Sequence, residues 1–214
     1  MKNIKVVFGI LCLSLLFGAA QAQSNPQADK VIKASQAKFD GLSDVVADFT
    51  YTLSNPNMKK PVVKKGVVTL KKNKYRIVFS DEEMYCNGKY NWVVLKADEE
   101  IVKSDFDPEE GLSPDRLYKV YEKDMKSNYD GVEGNAHKVT LFAKTDDGDI
   151  WKTSLWINKS TKLIDKAIMF ARNGSKYTYS MANIKTNTGV ADGIFNFNEK
   201  KYVDMDWILT DQSE

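Results

Sequence analysis

The sequence predicts a mainly β protein built on antiparallel strands, opened by one helix. Three observations carry that expectation. After residue 44 apolar and polar side chains alternate with a period of two. About eleven such runs follow one another in a chain of 214 residues. Short turn signals, Asn87-Gly88, Asp147-Gly148 and Asn173-Gly174, separate several of them.

The first residues are expected to be removed. Lys2 and Lys5 precede an uncharged apolar run, Val6 to Phe17, and Ala20 and Ala22 give the small-x-small pattern of a cleavage site after Ala22. The run is shorter than the roughly 20 residues that span a bilayer. Cys12 lies inside it after Leu11, not at its end, and reads as an ordinary member of the apolar run, not an acylation site. Residues 1–22 are thus read as a signal peptide and 23–214 as a single exported domain, in a bacterial cell envelope. Its loss takes two lysines from 31 basic side chains and brings them level with 29 acidic ones. A neutral chain gives no electrostatic reason to expect nucleic acid as a partner. Cys86 is then the only cysteine, so no internal disulfide is expected.

A helix is expected from Pro26 to Phe39, with Asn25 as N-cap, Pro26 at the first helical position and Gly41 ending it. In Val45 to Leu53 the odd positions are apolar and the even ones mostly polar, the mark of a half-buried strand. Further strands are expected over Val62–Lys71, Lys74–Phe79, Glu83–Cys86, Tyr90–Lys96, Glu100–Phe106, His137–Lys144, Ile150–Asn158, Leu163–Arg172, Lys176–Ile184 and Ile194–Asn198. Asn87-Gly88 is the strongest hairpin signal among the turns. Asp115 to Met125, after Ser113-Pro114, is the one internal helix candidate.

Two arrangements satisfy this pattern. The aromatic and aliphatic positions can fill a β-sandwich core, or they can line the hollow of a wider, half-closed sheet. In the second case the concave face carries Phe49, Tyr51, Leu53, Tyr75, Ile77, Phe79, Trp92, Val139 and Leu141, with Phe195 and Phe197. The two helices would then cover the opening.

Catalytic patterns are weak. His137 opens a strand beside Lys138, with no Ser, Cys or Asp placed for a triad. Cys86 has no second cysteine and no basic cluster to lower its pKa, and reads as a buried structural thiol. Asp98-Glu99-Glu100 and Glu109-Glu110 are adjacent carboxylates beside turns, not a pair flanking a bond. Asp146-Asp147-Gly148-Asp149 lacks the spacing and terminal Glu of a calcium loop. No enzyme, metal site or cofactor is expected.

Several segments, in order, resemble the LolA family of periplasmic carriers for outer-membrane lipoproteins. Ala47-Asp48-Phe49-Thr50 resembles the family's first strand, with Tyr51 where a Gln is usual. Gly66 to Phe79 is similar to its next strand pair, and Cys86-Asn87-Gly88-Lys89-Tyr90-Asn91-Trp92 to its S-D-G-K-x-x-W hairpin. Ser113-Pro114 with Leu117 to Lys123 resembles the lid helix, and Ile164 to Phe197 the C-terminal part. The resemblance implies an incomplete antiparallel β-barrel of eleven strands, with helices over an apolar cavity that holds acyl chains. Tyr75 and Ile77 match cavity positions, and Leu117 falls on the lid. The family's latch Arg aligns with Lys72, and the Pro expected after it is Asn73. An ammonium does not reproduce a guanidinium fork. The implied partners are acylated lipoproteins, an inner-membrane lipoprotein-releasing ABC transporter and an outer-membrane acceptor, with the carrier acting as a monomer. A sensor or regulatory binding module, or a carrier of another apolar ligand, would fit the same fold.

Overall fold

In the computed structural model, residues 25–107, 125–145 and 148–214 are described. The signal segment, Leu117 and the internal helix candidate up to residue 124 lie outside them, as does Asp147.

Helix α1 runs from Pro26 to Asp40 as its capping residues dictate. The Asn25 side chain accepts hydrogen bonds from the amides of Gln27 and Ala28, at 2.9 and 3.3 Å. Gly41 closes the last turn through its amide. Among the described residues twelve strands follow: β1 (Val45–Ser54), β2 (Val62–Lys71), β3 (Lys74–Phe79), β4 (Glu82–Cys86), β5 (Tyr90–Leu95), β6 (Glu100–Asp105), β7 (Met125–Glu133), β8 (Ala136–Ala143), β9 (Ile150–Asn158), β10 (Ile164–Ala171), β11 (Lys176–Thr186) and β12 (Ile208–Asp211). Between β11 and β12 lie a 3-10 turn, Asp192–Phe195, and a short helix α2, Glu199–Val203.

All twelve strands join one sheet in the order β12-β6-β5-β4-β3-β2-β1-β11-β10-β9-β8-β7. Two meanders, β1–β6 and β7–β11, are fused through the long antiparallel pairing of β1 with β11. The edge strands β7 and β12 do not pair with each other, so the sheet is an incomplete barrel.

One expected strand is not formed, and two that the sequence reading did not propose are present. Ile194–Asn198 is not a strand: its alternation serves a 3-10 turn that buries Phe195 and an extended stretch that packs Phe197. β7 escapes sequence reading because Met125–Glu133 is largely polar and kinked by a bulge at Gly131, whose φ is 107°. β12, four residues long with Ile208 largely exposed, pairs with β6 in parallel, an exception in a sheet otherwise antiparallel.

Glycine matters at two close approaches. A Cβ on Gly66 would stand 1.9 Å from the Val78 carbonyl oxygen. Gly88, at φ 86° in the β4–β5 turn, would meet the Asn73 side chain at 2.6 Å.

Candidate functional site

Directly paired residues in an antiparallel sheet point to the same face, so the register sorts the side chains. Phe49 pairs with Gly66 and Met181, and Gly66 with Phe79. Tyr51 pairs with Tyr179, which pairs with Ala167, then Leu155, then Val139. These residues share the inner face, the one α1 covers. Because Gly66 has no side chain, the rings of Phe49 and Phe79 meet across it at 6.0 Å. Phe49 and Tyr179 follow at 6.1 Å, and Tyr179 and Tyr51 at 5.6 Å. An aromatic belt thus crosses four strands.

One apolar cluster joins this face to α1. Phe49, Ile77, Phe79, Val139 and Leu141 are buried in it with Ala28 and Ile32 of the helix. Tyr51 and Tyr75 pack against it half-buried. Leu53 continues the same face at the end of β1, opposite Tyr177, and is half-buried. Sequence reasoning did not single out Tyr179, Met181 and Tyr177, although they alternate along β11. Met84, Met169 and Met181 add flexible thioether side chains, suited to chains of varied shape.

Trp92 is a correction. It pairs with Tyr85 and Lys103 on the opposite face from Ile77 and Met84. There Tyr85, Trp92, Val94 and Ile101 form a second cluster covered by Phe197, Tyr202, Trp207 and Leu209. Phe197, expected on the concave face, stacks on Tyr202 at 4.9 Å in this outer cluster. The Trp92 indole donates to Glu199 at 2.9 Å. The Tyr85 hydroxyl donates to Glu83 at 2.5 Å, and its pKa is pushed up to about 12 by burial and that carboxylate.

α1 crosses the inner face from the β7 edge to the start of β1. The Asn25 amide donates to the Ser127 carbonyl at 3.1 Å, and the Ser127 hydroxyl to Asp29 at 2.5 Å. At its other end a cleft of about 280 Å³ opens among Phe39, Asp40, Leu42, Ser43, Asp44, Val45, Leu70, Lys72 and Asn73. That is at the small end of the range for ligand pockets, about 300–1,000 Å³.

Lys72 lines this cleft from the β2–β3 turn, at a left-handed φ of 54°. Its neighbours Lys71 and Lys74 are engaged with Asp192, both at 2.6 Å, and hold that carboxyl down to about 2. Asp44 is buried at 2 % exposure. Burial acts to raise its pKa, but hydrogen bonds outweigh it: from the Thr188 hydroxyl and amide, the Ser43 hydroxyl and the Gly189 amide. The carboxyl is held well below the ordinary range, and it ties the loop after β11 to the start of β1.

Among the described residues three buried hydroxyls on α1 and the inner face have no partner: Ser35 Oγ on the helix, Thr153 Oγ1 on β9 and Tyr179 Oη on β11. Each such group costs about 1–3 kcal/mol. Burial, with Tyr51 and Tyr177 nearby, also raises the Tyr179 pKa far above its ordinary value, so the phenol stays protonated.

His137 accepts from or donates to the Tyr129 hydroxyl at 2.9 Å near the end of β8. Burial, with Lys162 and Lys159 nearby, lowers its pKa and keeps it neutral at pH 7. Cys86 is buried beside the Asn87–Gly88 turn, its thiol donating weakly to the Asn73 carbonyl at 3.4 Å.

The family described as outer membrane lipoprotein carrier protein LolA matches residues 40–198. The chain belongs to the LolA family. The match runs from the end of α1 to the stretch after the 3-10 turn, and takes in the whole aromatic belt. Among curated proteins none matches. A solved structure of an uncharacterised conserved protein from Thermus thermophilus superposes with a TM-score of 0.56 at 10% identity, over 87% of this chain and 99% of the other. At that identity the likeness speaks to the fold. Two weaker likenesses are the lipoprotein LppX of Mycobacterium tuberculosis and a LolA superfamily protein of Nitrosomonas europaea. The first gives 0.49 at 16% identity over 78% and 99% of the chains; the second gives 0.42 at 10% over 79% and 97%.

Proposed function

We propose that this LolA-family chain is an exported, monomeric carrier. It takes up the acyl chains of lipoproteins on the inner face of its sheet and shuttles them through the periplasm from the inner to the outer membrane. The observation that supports this most is the inner face itself: a continuous aromatic and Met-rich surface whose described cover is one helix. An ABC transporter that releases lipoproteins would load it, and an outer-membrane acceptor would unload it. The signal peptide ending at Ala22 would direct its export. No enzymatic step is required.

Magnitudes say which contact wins. Each buried CH₂ is worth about 0.8 kcal/mol, so one chain of about 16 carbons gains roughly 12 kcal/mol. α1 buries only Ala28, Ile32 and Ser35 fully, with Val31 and Phe39 in part. At about 1.5–3 kcal/mol per large apolar side chain, its hold on the sheet is roughly half of what one acyl chain offers. Acyl chains can therefore displace the helix and occupy its place. Burial is non-directional, so one face serves many lipoproteins.

The test is to mix the mature protein with a triacylated lipoprotein and with its non-acylated form, and to follow both by gel filtration. The carrier reading predicts a soluble, near-equimolar complex with the acylated form alone. Equal behaviour of the two forms would sink it.

A further inference from the structure

The hydroxyls of Ser35, Thr153 and Tyr179 set the inner face apart from an ordinary core. Phe, Val and Ala would fill the same space without stranding a donor. Hydrocarbon cannot satisfy them either, because a CH₂ group accepts no hydrogen bond.

Their placement is ordered. Tyr179 stands opposite Tyr51 on β1 and Ala167 on β10. Thr153 stands opposite Met169 on β10 and Leu141 on β8. The two positions lie two strands and two residues apart on one face, about 12 Å between Cα atoms from sheet spacings. A Tyr side chain spans about half that distance. Ser35 lies on the buried side of α1 with Ala28 and Ile32. At 5 %, 1 % and 2 % exposure, Tyr179, Thr153 and Ser35 are shut off from bulk water.

We infer that Tyr179 and Thr153 are donors for the ester carbonyls of a diacylglyceryl group, so that this site recognises acyl esters rather than hydrocarbon alone. The inference rests on the carrier reading and refines it. A protonated phenol and a threonine hydroxyl each donate one hydrogen bond, and the two esters of a diacylglyceryl head each offer an accepting oxygen. When α1 yields to the chains, the hydroxyls gain acceptors and Ser35 leaves the apolar interior with the helix. The donors lie deep on the face, so the glyceryl head is drawn below the rim and not left at the surface.

Two probes separate this from plain hydrophobic capture: a dipalmitoyl-glyceryl cysteine peptide, and the same peptide with both esters replaced by ethers. Calorimetric titration should show the wild type binding the ester about tenfold more tightly. Tyr179→Phe should bring the ester down to the ether's affinity and leave the ether unchanged. Thr153→Val should lose less, about threefold. Ligand-free Tyr179→Phe should melt at or above the wild-type temperature, because it removes a donor that has no partner.

Equal ester and ether affinities in the wild type would overturn the inference and leave acyl binding standing. So would an equal loss for both probes in Tyr179→Phe, or a lowered melting temperature in that variant. Failure of either probe to bind at all would overturn the carrier reading as well.

Discussion

The two apolar clusters lie on opposite faces of one sheet and are built differently. On the outer face, the Trp92 indole, the Tyr85 hydroxyl and the Glu83 carboxylate have partners, and Arg76 reaches Glu83 at 3.1 Å while lying over the Tyr85 ring, although its Nε is buried without a partner among the described residues. Phe197, α2, Trp207 and β12 cover it, with β12 pinned by a β-ladder to β6. On the inner face the buried hydroxyls of Ser35, Thr153 and Tyr179 lack partners among the described residues, and α1 holds on through few side chains. A cover pinned by a β-ladder suits a permanent core. Packing that leaves donors unpaired suits a surface with a second occupant. Under the proposed carrier function the sheet seals one face and keeps the other exchangeable.

The largest effect is expected on the outer face. Trp92→Ala should cost about 3–5 kcal/mol, as large-to-small changes of buried aromatics do. It should leave the affinity for an acylated peptide unchanged, measured by urea unfolding and titration on the same sample. A matching loss of affinity would mean that the outer cluster belongs to the site.

Ile32→Ala attacks the exchangeable side. It should cost about 2–4 kcal/mol of stability, yet bind the acylated peptide about tenfold or more tightly. A weaker α1 contact lowers the cost of opening and raises the fraction of binding-competent molecules. Loss of stability with weaker binding would make α1 part of the ligand's seat and not its competitor.

Asp44→Asn probes the anchor beside the cleft. Removing the charge that four neighbouring groups solvate should cost roughly 2–3 kcal/mol at pH 7. The pH dependence has a definite sign. The folded-state pKa of Asp44 is depressed, so its stabilisation is full above its unfolded pKa, about 4, and fades as pH falls toward the folded value. Wild type and variant should therefore converge in unfolding free energy between pH 5 and pH 2. A gap that stays constant across that range would remove the carboxylate from this role.

The smallest effect is expected at Lys72. Replacement by Leu should change the rate of ligand release a few-fold and leave equilibrium affinity within about twofold, as stopped-flow transfer to vesicles would read. No change in release would discount Lys72 as a latch.

What the sequence made legible follows from packing on one side or two. Phe49, Tyr51, Tyr75, Ile77 and Phe79 alternate cleanly because their strands bury one face under α1 and leave the other wetter. In β5, Trp92, Val93, Val94 and Leu95 are all apolar because both faces are covered, so alternation cannot say which side Trp92 takes. α1 was readable from Asn25, Pro26 and Gly41 since capping is local chemistry. β7 was not, because an edge strand with one partner needs little apolar pattern. The stranded hydroxyls were beyond reach of pattern: Tyr179 and Thr153 look like ordinary strand residues until the register shows what surrounds them.

Crosslinking decides whether acyl chains occupy the face under α1. A lipopeptide carrying a photoreactive group midway along one acyl chain should label Phe49, Tyr51, Met169 or Tyr179, as mapped by peptide mass spectrometry. Labelling confined to Tyr90, Trp92, Phe197 or Tyr202 would contradict the account, for it would put the lipid on the face that the sheet has sealed.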